Sequence, residues 1–251
     1  RLFFLNLIFK FSFKRSDGLI FLTNYAKKKV NQSCNLKRKD QIIIPHGINQ
    51  KFSKLINKIR TKDLKINSEK INLLYVSTIE PYKNHDSVIK ASFRLYKEGF
   101  NINLILIGSQ NKKEAKKFNG LINKYDAKKE FIKYLGHVDY NIIQNYYLSC
   151  SLGVFASSCE NMPNTLLEMM AARLPIACSN VGPMPDILKD GGLYFNPFDY
   201  ESIYKIIKKL IIEDKKRKIL SNKAYTYSND YSWQKCSNNT FDYIFNIANK
   251  K

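Results

Sequence analysis

Leu152-Gly153-Val154-Phe155-Ala156 is followed, after two serines, by Cys159-Glu160-Asn161-Met162-Pro163-Asn164-Thr165-Leu166-Leu167-Glu168-Met169-Met170-Ala171-Ala172, and then by Ile176-Ala177-Cys178. The two outer runs are short and apolar, as buried strands are. Between them a loop carries Glu160, and a helix is expected from near Pro163, because proline suits the first helical turn. If Glu160 and Glu168 shared one helix, eight steps would leave them about 80° apart in projection. With Glu160 in the loop, both carboxylates instead flank the helix N-terminus. That end offers free N–H groups and partial positive charge, a seat for phosphate. Carboxylates beside such a seat can accept hydrogen bonds from sugar hydroxyls. The competing reading is structural: Thr165-Leu166-Leu167-Glu168 matches a capping box, which would make Glu168 a helix cap and nothing more.

Strand alternates with helix from residue 71 onward. Strands are expected at 71–76, 103–107, 131–135, 152–155, 176–179 and 193–195, and helices at 86–98, 112–125, 140–149, 163–173 and 200–212. Two further helices, 214–228 and 232–248, close the chain. Continuous apolar strands separated by helices predict a parallel sheet covered on both faces, with ligand loops at the strand C-terminal ends. Upstream, Gly18-Leu19-Ile20-Phe21-Leu22-Thr23 reads as a strand, with Thr23 or Asn24 capping a helix to about Val30. Ile42-Ile43-Ile44 reads as another strand, closed by Pro45-His46-Gly47. The segment Leu2 to Phe13 is apolar between basic residues. It is too short to span a membrane, lacks a signal-peptide cleavage site, and reads as an amphipathic helix.

Hydrophobic residues make up 44% of the 251, enough for a core, and the formal charge is +21. That charge invites nucleic acid or membrane as a partner. Only seven of the 42 cationic residues are Arg, they are scattered, and no nucleic-acid-binding signature accompanies them, so nucleic acid is set aside. Peripheral contact with an anionic membrane is retained as an expectation. The five cysteines are widely spaced with no C-x-x-C pair, which implies neither a zinc site nor a disulfide framework and fits a reducing compartment. A dinucleotide-dependent oxidoreductase is disfavoured because no G-x-G-x-x-G follows any strand.

Glu160 and Glu168, with Met170-Ala171-Ala172 and Leu174-Pro175-Ile176-Ala177, resemble the donor-site signature of family 4 glycosyltransferases. So do Asn180-Val181-Gly182-Pro183-Met184-Pro185-Asp186-Ile187, Gly191-Gly192-Leu193-Tyr194-Phe195-Asn196-Pro197, and Tyr75-Val76-Ser77-Thr78-Ile79-Glu80-Pro81-Tyr82-Lys83-Asn84. The resemblance covers nearly the whole chain, least securely its first fifteen residues. It implies a retaining enzyme of the two-domain GT-B fold, α/β, with a Rossmann-like doubly wound parallel sheet as donor domain and a remnant of a second α/β domain. The implied division is 1–50 as that acceptor-domain remnant, 51–70 as interdomain linker, 71–230 as nucleotide-sugar donor domain, and 231–251 as a helix crossing back. On this resemblance the chain is expected to be N-terminally truncated, an incomplete enzyme with much of its acceptor side missing.

The resemblance also assigns roles. Glu160 is the catalytic candidate, lying near the donor sugar as nucleophile or electrostatic stabiliser. Glu168 accepts from ribose hydroxyls, and Lys83 neutralises the diphosphate. Many members carry an Arg where this chain has Thr78, and some where it has Tyr82, so phosphate binding here rests on Lys83 and on backbone N–H groups near Met162–Thr165, within a donor-binding loop of Asn161, Met162, Pro163, Asn164 and Thr165. Gly108 and the loop of His137 and Val138 are placed on the nucleotide, the latter beside the base; for His137 a plain loop residue is the equal alternative. Gly182 and Asp186 are read on a loop lining the sugar pocket, with a turn that makes no ligand contact as the alternative. His46 and His85 show no partner pattern. No Asp-x-Asp motif occurs, so no metal and no cofactor is expected. The expected partners are a nucleotide-diphosphate sugar and a glycan or lipid-linked acceptor in cell-surface polysaccharide or lipopolysaccharide assembly. The expected place is the cytoplasm, peripheral to the inner face of the membrane. The alternative is a non-catalytic basic fragment that binds nucleotide or anionic membrane without transfer.

Overall fold

The computed structural model describes residues 2–36, 40–49, 52 and 70–250. The expected linker, 51–70, lies outside the described residues apart from Phe52 and Lys70. The first helix, α1 (Leu2–Arg15), precedes a small parallel unit of β1 (Leu19–Phe21), α2 (Asn24–Cys34) and β2 (Gln41–Ile43). Six parallel strands follow: β3 (Ile71–Val76), β4 (Ile102–Ile107), β5 (Ile132–Tyr134), β6 (Leu152–Phe155), β7 (Ile176–Ser179) and β8 (Leu193–Phe195). Their helices are α3 (His85–Lys97), α4 (Lys112–Asp126), α5 (Tyr140–Ser149), α6 (Asn164–Ala171), α7 (Met184–Leu188), α8 (Tyr200–Ile212), α9 (Asp214–Ser228) and α10 (Trp233–Ala248).

The strand order is β5-β4-β3-β6-β7-β8. From β3 the chain winds outward to β4 and β5, then returns to the far side of β3 with β6. The β3/β6 boundary is therefore the switch point, where open parallel sheets hold ligands beyond the strand C-termini. The two faces of β3 show why the sheet is covered twice. Leu73 and Tyr75 enter one core with Val88, Leu95, Leu104 and Phe118, whereas Leu74 and Val76 enter the other with Ile105, Tyr147, Leu166 and Met170. Alternate side chains point to opposite faces, so a strand apolar at both parities is buried on both.

Several expectations are corrected. The helix after Glu160 starts at Asn164 with Pro163 as its cap residue, and stops at Ala171. It ends before Arg173 because that residue takes a left-handed φ of 48°. Helix α2 runs beyond Val30 to Cys34. The stretch around Asp186, read as a loop, is the short helix α7, opened by Pro183 with Pro185 in its first turn. Helix α1 is not amphipathic: Leu7, Ile8 and Phe9 are all exposed, and consecutive helical residues point in different directions. Among the described residues no helix is long and apolar enough to cross a membrane.

The last helix packs on the N-terminal unit. Tyr243 receives a hydrogen bond from Leu19 N at 3.1 Å and donates one to Asp40 O at 2.9 Å. Ile48 and Ser232 form an isolated parallel bridge. Gly108, after β4, shows the closeness of the C-terminal loops. A Cβ there would lie 1.9 Å from the Ser77 carbonyl oxygen, and its φ is +147°. Gly108→Ala is expected to cost about 1–3 kcal/mol of stability, the range for a strained backbone position. An unchanged denaturant midpoint would show that the β3 and β4 loops are not packed this closely.

Candidate functional site

The loops after β3 and β6 are sewn together across the switch point. The Tyr82 carbonyl accepts from Ser158 N at 2.8 Å, Ser158 Oγ at 3.0 Å and Asn84 Nδ2 at 3.0 Å. Asn84 Nδ2 also donates to the Ala156 carbonyl at 2.8 Å. Asn84 holds a left-handed φ of 52°, a conformation asparagine tolerates better than most residues, and this ends the turn Pro81–Lys83. The Lys83 carbonyl accepts from the Tyr75 hydroxyl at 2.6 Å. So fixed, Lys83 Nζ donates to Glu160 Oε1. The two side chains are 12% and 15% exposed, so the pair is largely withdrawn from water but reachable. The sequence placed both residues at the site but not against each other.

Glu168 makes no capping box. The cap of α6 is Pro163, without a side-chain hydrogen bond. Glu168 Oε2 instead accepts from the Tyr147 hydroxyl at 2.7 Å, and the Tyr140 hydroxyl also interacts with it. Burial pushes its carboxyl up to about 7, with the two tyrosine hydroxyls pulling the other way. The structural reading of Glu168 as a helix cap is therefore overturned: its neighbours are on α5, not at its own helix end.

The segment expected to seat phosphate offers fewer free N–H groups than its sequence suggests. Met162 and Pro163 are buried, and Asn161 and Asn164 are exposed. Proline has no N–H to offer, and the Asn164 N–H donates to the Met162 carbonyl at 3.1 Å. Leu166 and Leu167 N–H groups both turn to the Pro163 carbonyl. Thr165 N–H, by contrast, has no hydrogen-bond partner among the described residues. It adds to the positive end of the α6 dipole.

Gly108 N donates to the Gly136 carbonyl at 2.8 Å, which draws the loops after β4 and β5 together. His137 is exposed, and Val138 is half-buried against the core. Gly108 thus owes its glycine at least to the Ser77 contact. Two of the histidines gain partners the sequence did not reveal. The His46 ring stacks on Trp233 at 5.4 Å, with Nδ1 3.3 Å from Asn164 Oδ1, so the N-terminal segment touches the first residue of α6. His85 is buried against Tyr75 and Phe118, with Nε2 3.1 Å from Ser77 Oγ. Burial, then the nearby Lys83 charge, lowers its pKa to about 3, so it is neutral and structural. Among the described residues no three His, Cys, Asp or Glu side chains are grouped to hold a metal.

The family model "Glycosyl transferases group 1" matches residues 56–227. The chain belongs to this family. It is 28% identical over 170 residues to O-antigen chain mannosyltransferase B of Escherichia coli, covering 67% of this chain and 44% of that protein. It is 27% identical over 231 residues to the uncharacterized glycosyltransferase MJ1178 of Methanocaldococcus jannaschii, covering 91% and 59% respectively. This member of the group 1 family thus spans about half the length of those relatives. In fold it is similar to sucrose-phosphate synthase from Thermosynechococcus elongatus, with a TM-score of 0.84 at 17% identity over 98% of this chain and 62% of that one. It is likewise similar to WaaG, a glycosyltransferase involved in lipopolysaccharide biosynthesis, with a TM-score of 0.70 at 19% identity over 85% of this chain and 59% of that one. These neighbours confirm the α/β fold class with its Rossmann-like parallel sheet.

Proposed function

We propose that the switch-point site binds a nucleotide-diphosphate sugar and serves retaining transfer of the sugar to a glycan or lipid-linked acceptor in surface polysaccharide assembly. The observation that carries this reading is the Lys83–Glu160 pair, held at the β3/β6 switch point by the sewn loops. An ammonium and a carboxylate that pair in the free site become two binding groups once a donor enters. Lys83 turns to the diphosphate, and Glu160 is released toward the sugar. In the reaction the bond from the anomeric carbon to the diphosphate breaks and the nucleoside diphosphate leaves with the electron pair. The acceptor oxygen bonds to that carbon on the same face, and its proton passes to the departing diphosphate oxygen. Positive charge on the sugar is stabilised by Glu160, and negative charge on the leaving group by Lys83 and the Thr165 N–H. Glu168 takes the ribose hydroxyls, and Gly108, His137 and Val138 lie on the side of the base.

The relatives' names support the setting: O-antigen mannosyltransferases among the sequence relatives, and one structural neighbour crystallised with UDP and glucose. We place the protein at the cytoplasmic face of the membrane, where its +21 charge and the exposed apolar α1 with Lys10, Lys14 and Arg15 favour anionic lipid. The reaction is tested in a version of the protein that carries a complete acceptor domain, by following labelled sugar from UDP-, GDP- and ADP-linked donors to lipid-linked glycans with EDTA present. Transfer should survive EDTA, because the diphosphate's charge is met by Lys83 and the helix N-terminus. Loss on chelation with recovery on adding magnesium or manganese would contradict this.

A further inference from the structure

Tyr147 is wholly buried in the core, and a buried tyrosine hydroxyl requires a partner. Its partner is Glu168 Oε2, at 2.7 Å. About two turns earlier on the same helix, the Tyr140 hydroxyl interacts with both Glu168 and Asn49. Phe52, 2% exposed, stands edge-on to both rings, 5.7 Å from Tyr140 and 5.6 Å from Tyr147. Asn49 and Phe52 precede the six-stranded sheet in sequence. Glu168 is thus braced from α5, and α5 is braced from outside the sheet unit.

We propose that Tyr147 and Tyr140 are positioning residues that hold the Glu168 carboxylate ready for the ribose diol of the donor, with Asn49 and Phe52 holding the two tyrosines in turn. This rests on the reading of Glu168 as the diol acceptor. A carboxylate has about four lone-pair directions. Two hydroxyls donating from α5 leave the remaining directions fixed in space, where a free glutamate would sample several rotamers. Holding an acceptor in its bound geometry lowers the cost of binding. The same hydroxyls favour the ionised carboxyl, the form that can accept from a diol, against the burial that opposes it. The titratable groups facing Glu168 are these two tyrosines, and burial raises the pKa of both, so they remain protonated donors across the working range.

The test uses the whole chain with UDP, GDP and ADP as probes, titrated calorimetrically from about pH 5.5 to about pH 8.5, a span bracketing the Glu168 transition. Tyr147→Phe should bind the best probe about tenfold more weakly near neutral pH, the worth of one hydrogen bond to a charged group. The midpoint of its pH profile should move upward, with most of the affinity regained at the alkaline end. A purely structural tyrosine would leave that midpoint where it was. If Tyr147→Phe does not fold, Tyr140→Phe, at a half-exposed position, carries the same test. Wild-type affinity and midpoint in whichever variant folds would overturn the proposal while leaving the donor site standing, provided Glu168→Gln still loses binding. If Glu168→Gln binds as the wild type does, the donor-site reading itself falls, and the proposal with it.

Discussion

Replacing Lys83 by Met is expected to weaken binding of a nucleoside diphosphate by at least about a hundredfold, measured by calorimetry. One charge-assisted hydrogen bond accounts for about 1.5–3 kcal/mol, about tenfold to over a hundredfold. The geometry adds a second cost. Without Lys83, Glu160 remains a largely buried carboxylate facing the incoming phosphates, and like charges at close range repel. The double substitution Lys83→Met with Glu160→Gln should therefore bind better than Lys83→Met alone. Contacting residues in one network are not additive, and the cycle measures the coupling. Glu160→Gln alone should keep wild-type nucleotide affinity or exceed it, because Lys83 no longer has to leave a carboxylate. An affinity within threefold of wild type for Lys83→Met would remove Lys83 from the phosphate site.

Glu168→Gln is expected to separate stability from binding. The wild-type carboxyl has its pKa raised by burial to about 7 in the folded chain, against 4.5 for an ordinary glutamate. The folded state therefore holds that proton more tightly than the unfolded state does. This contribution is fully present below about pH 4.5 and is lost as the pH rises through about 7, a change of about 3 kcal/mol. At alkaline pH the ionised carboxylate is a burden on the fold, and the neutral amide should raise the melting temperature there. Nucleotide binding should move the opposite way. A diol donates to the carboxylate, so donor binding favours deprotonation. Wild-type affinity should climb with pH up to about 7, by at most tenfold per unit, and level off above it. Glu168→Gln should bind weakly with a flat profile. A helix cap would give the reverse pattern, a lower melting temperature with binding untouched.

Most of the sheet is legible because five of its strands are apolar at both parities, β5 with its exposed Lys133 being the exception. The apolar runs 71–76, 152–155, 176–179 and 193–195 mark their own bounds, and β3, β6, β7 and β8 lie there. Helix termini were less legible. Arg173 adopts a left-handed φ that its residue type does not announce, and Met184–Leu188 is too short for a helical period to show. At the site, Glu160, Glu168 and Lys83 could be singled out from motifs, whereas their partners could not. Lys83 and Glu160 lie 77 positions apart in the chain, and they meet because Tyr82 and Asn84 pin one loop to the other. Tyr147 looked like any aromatic on a core-facing helix, since only the fold reveals that its hydroxyl ends on Glu168. His46 had no sequence partner because Trp233 and Asn164 reach it from two distant elements.

One titration tests the nucleotide site most directly: the folded chain against UDP, GDP and ADP in a calorimeter at mildly alkaline pH. At least one of the three should bind at one site per chain, and its heat should be strongly reduced in both Lys83→Met and Glu168→Gln. If a well-folded sample binds none of them, or if both variants bind as the wild type does, the switch-point site is not a nucleotide-sugar site.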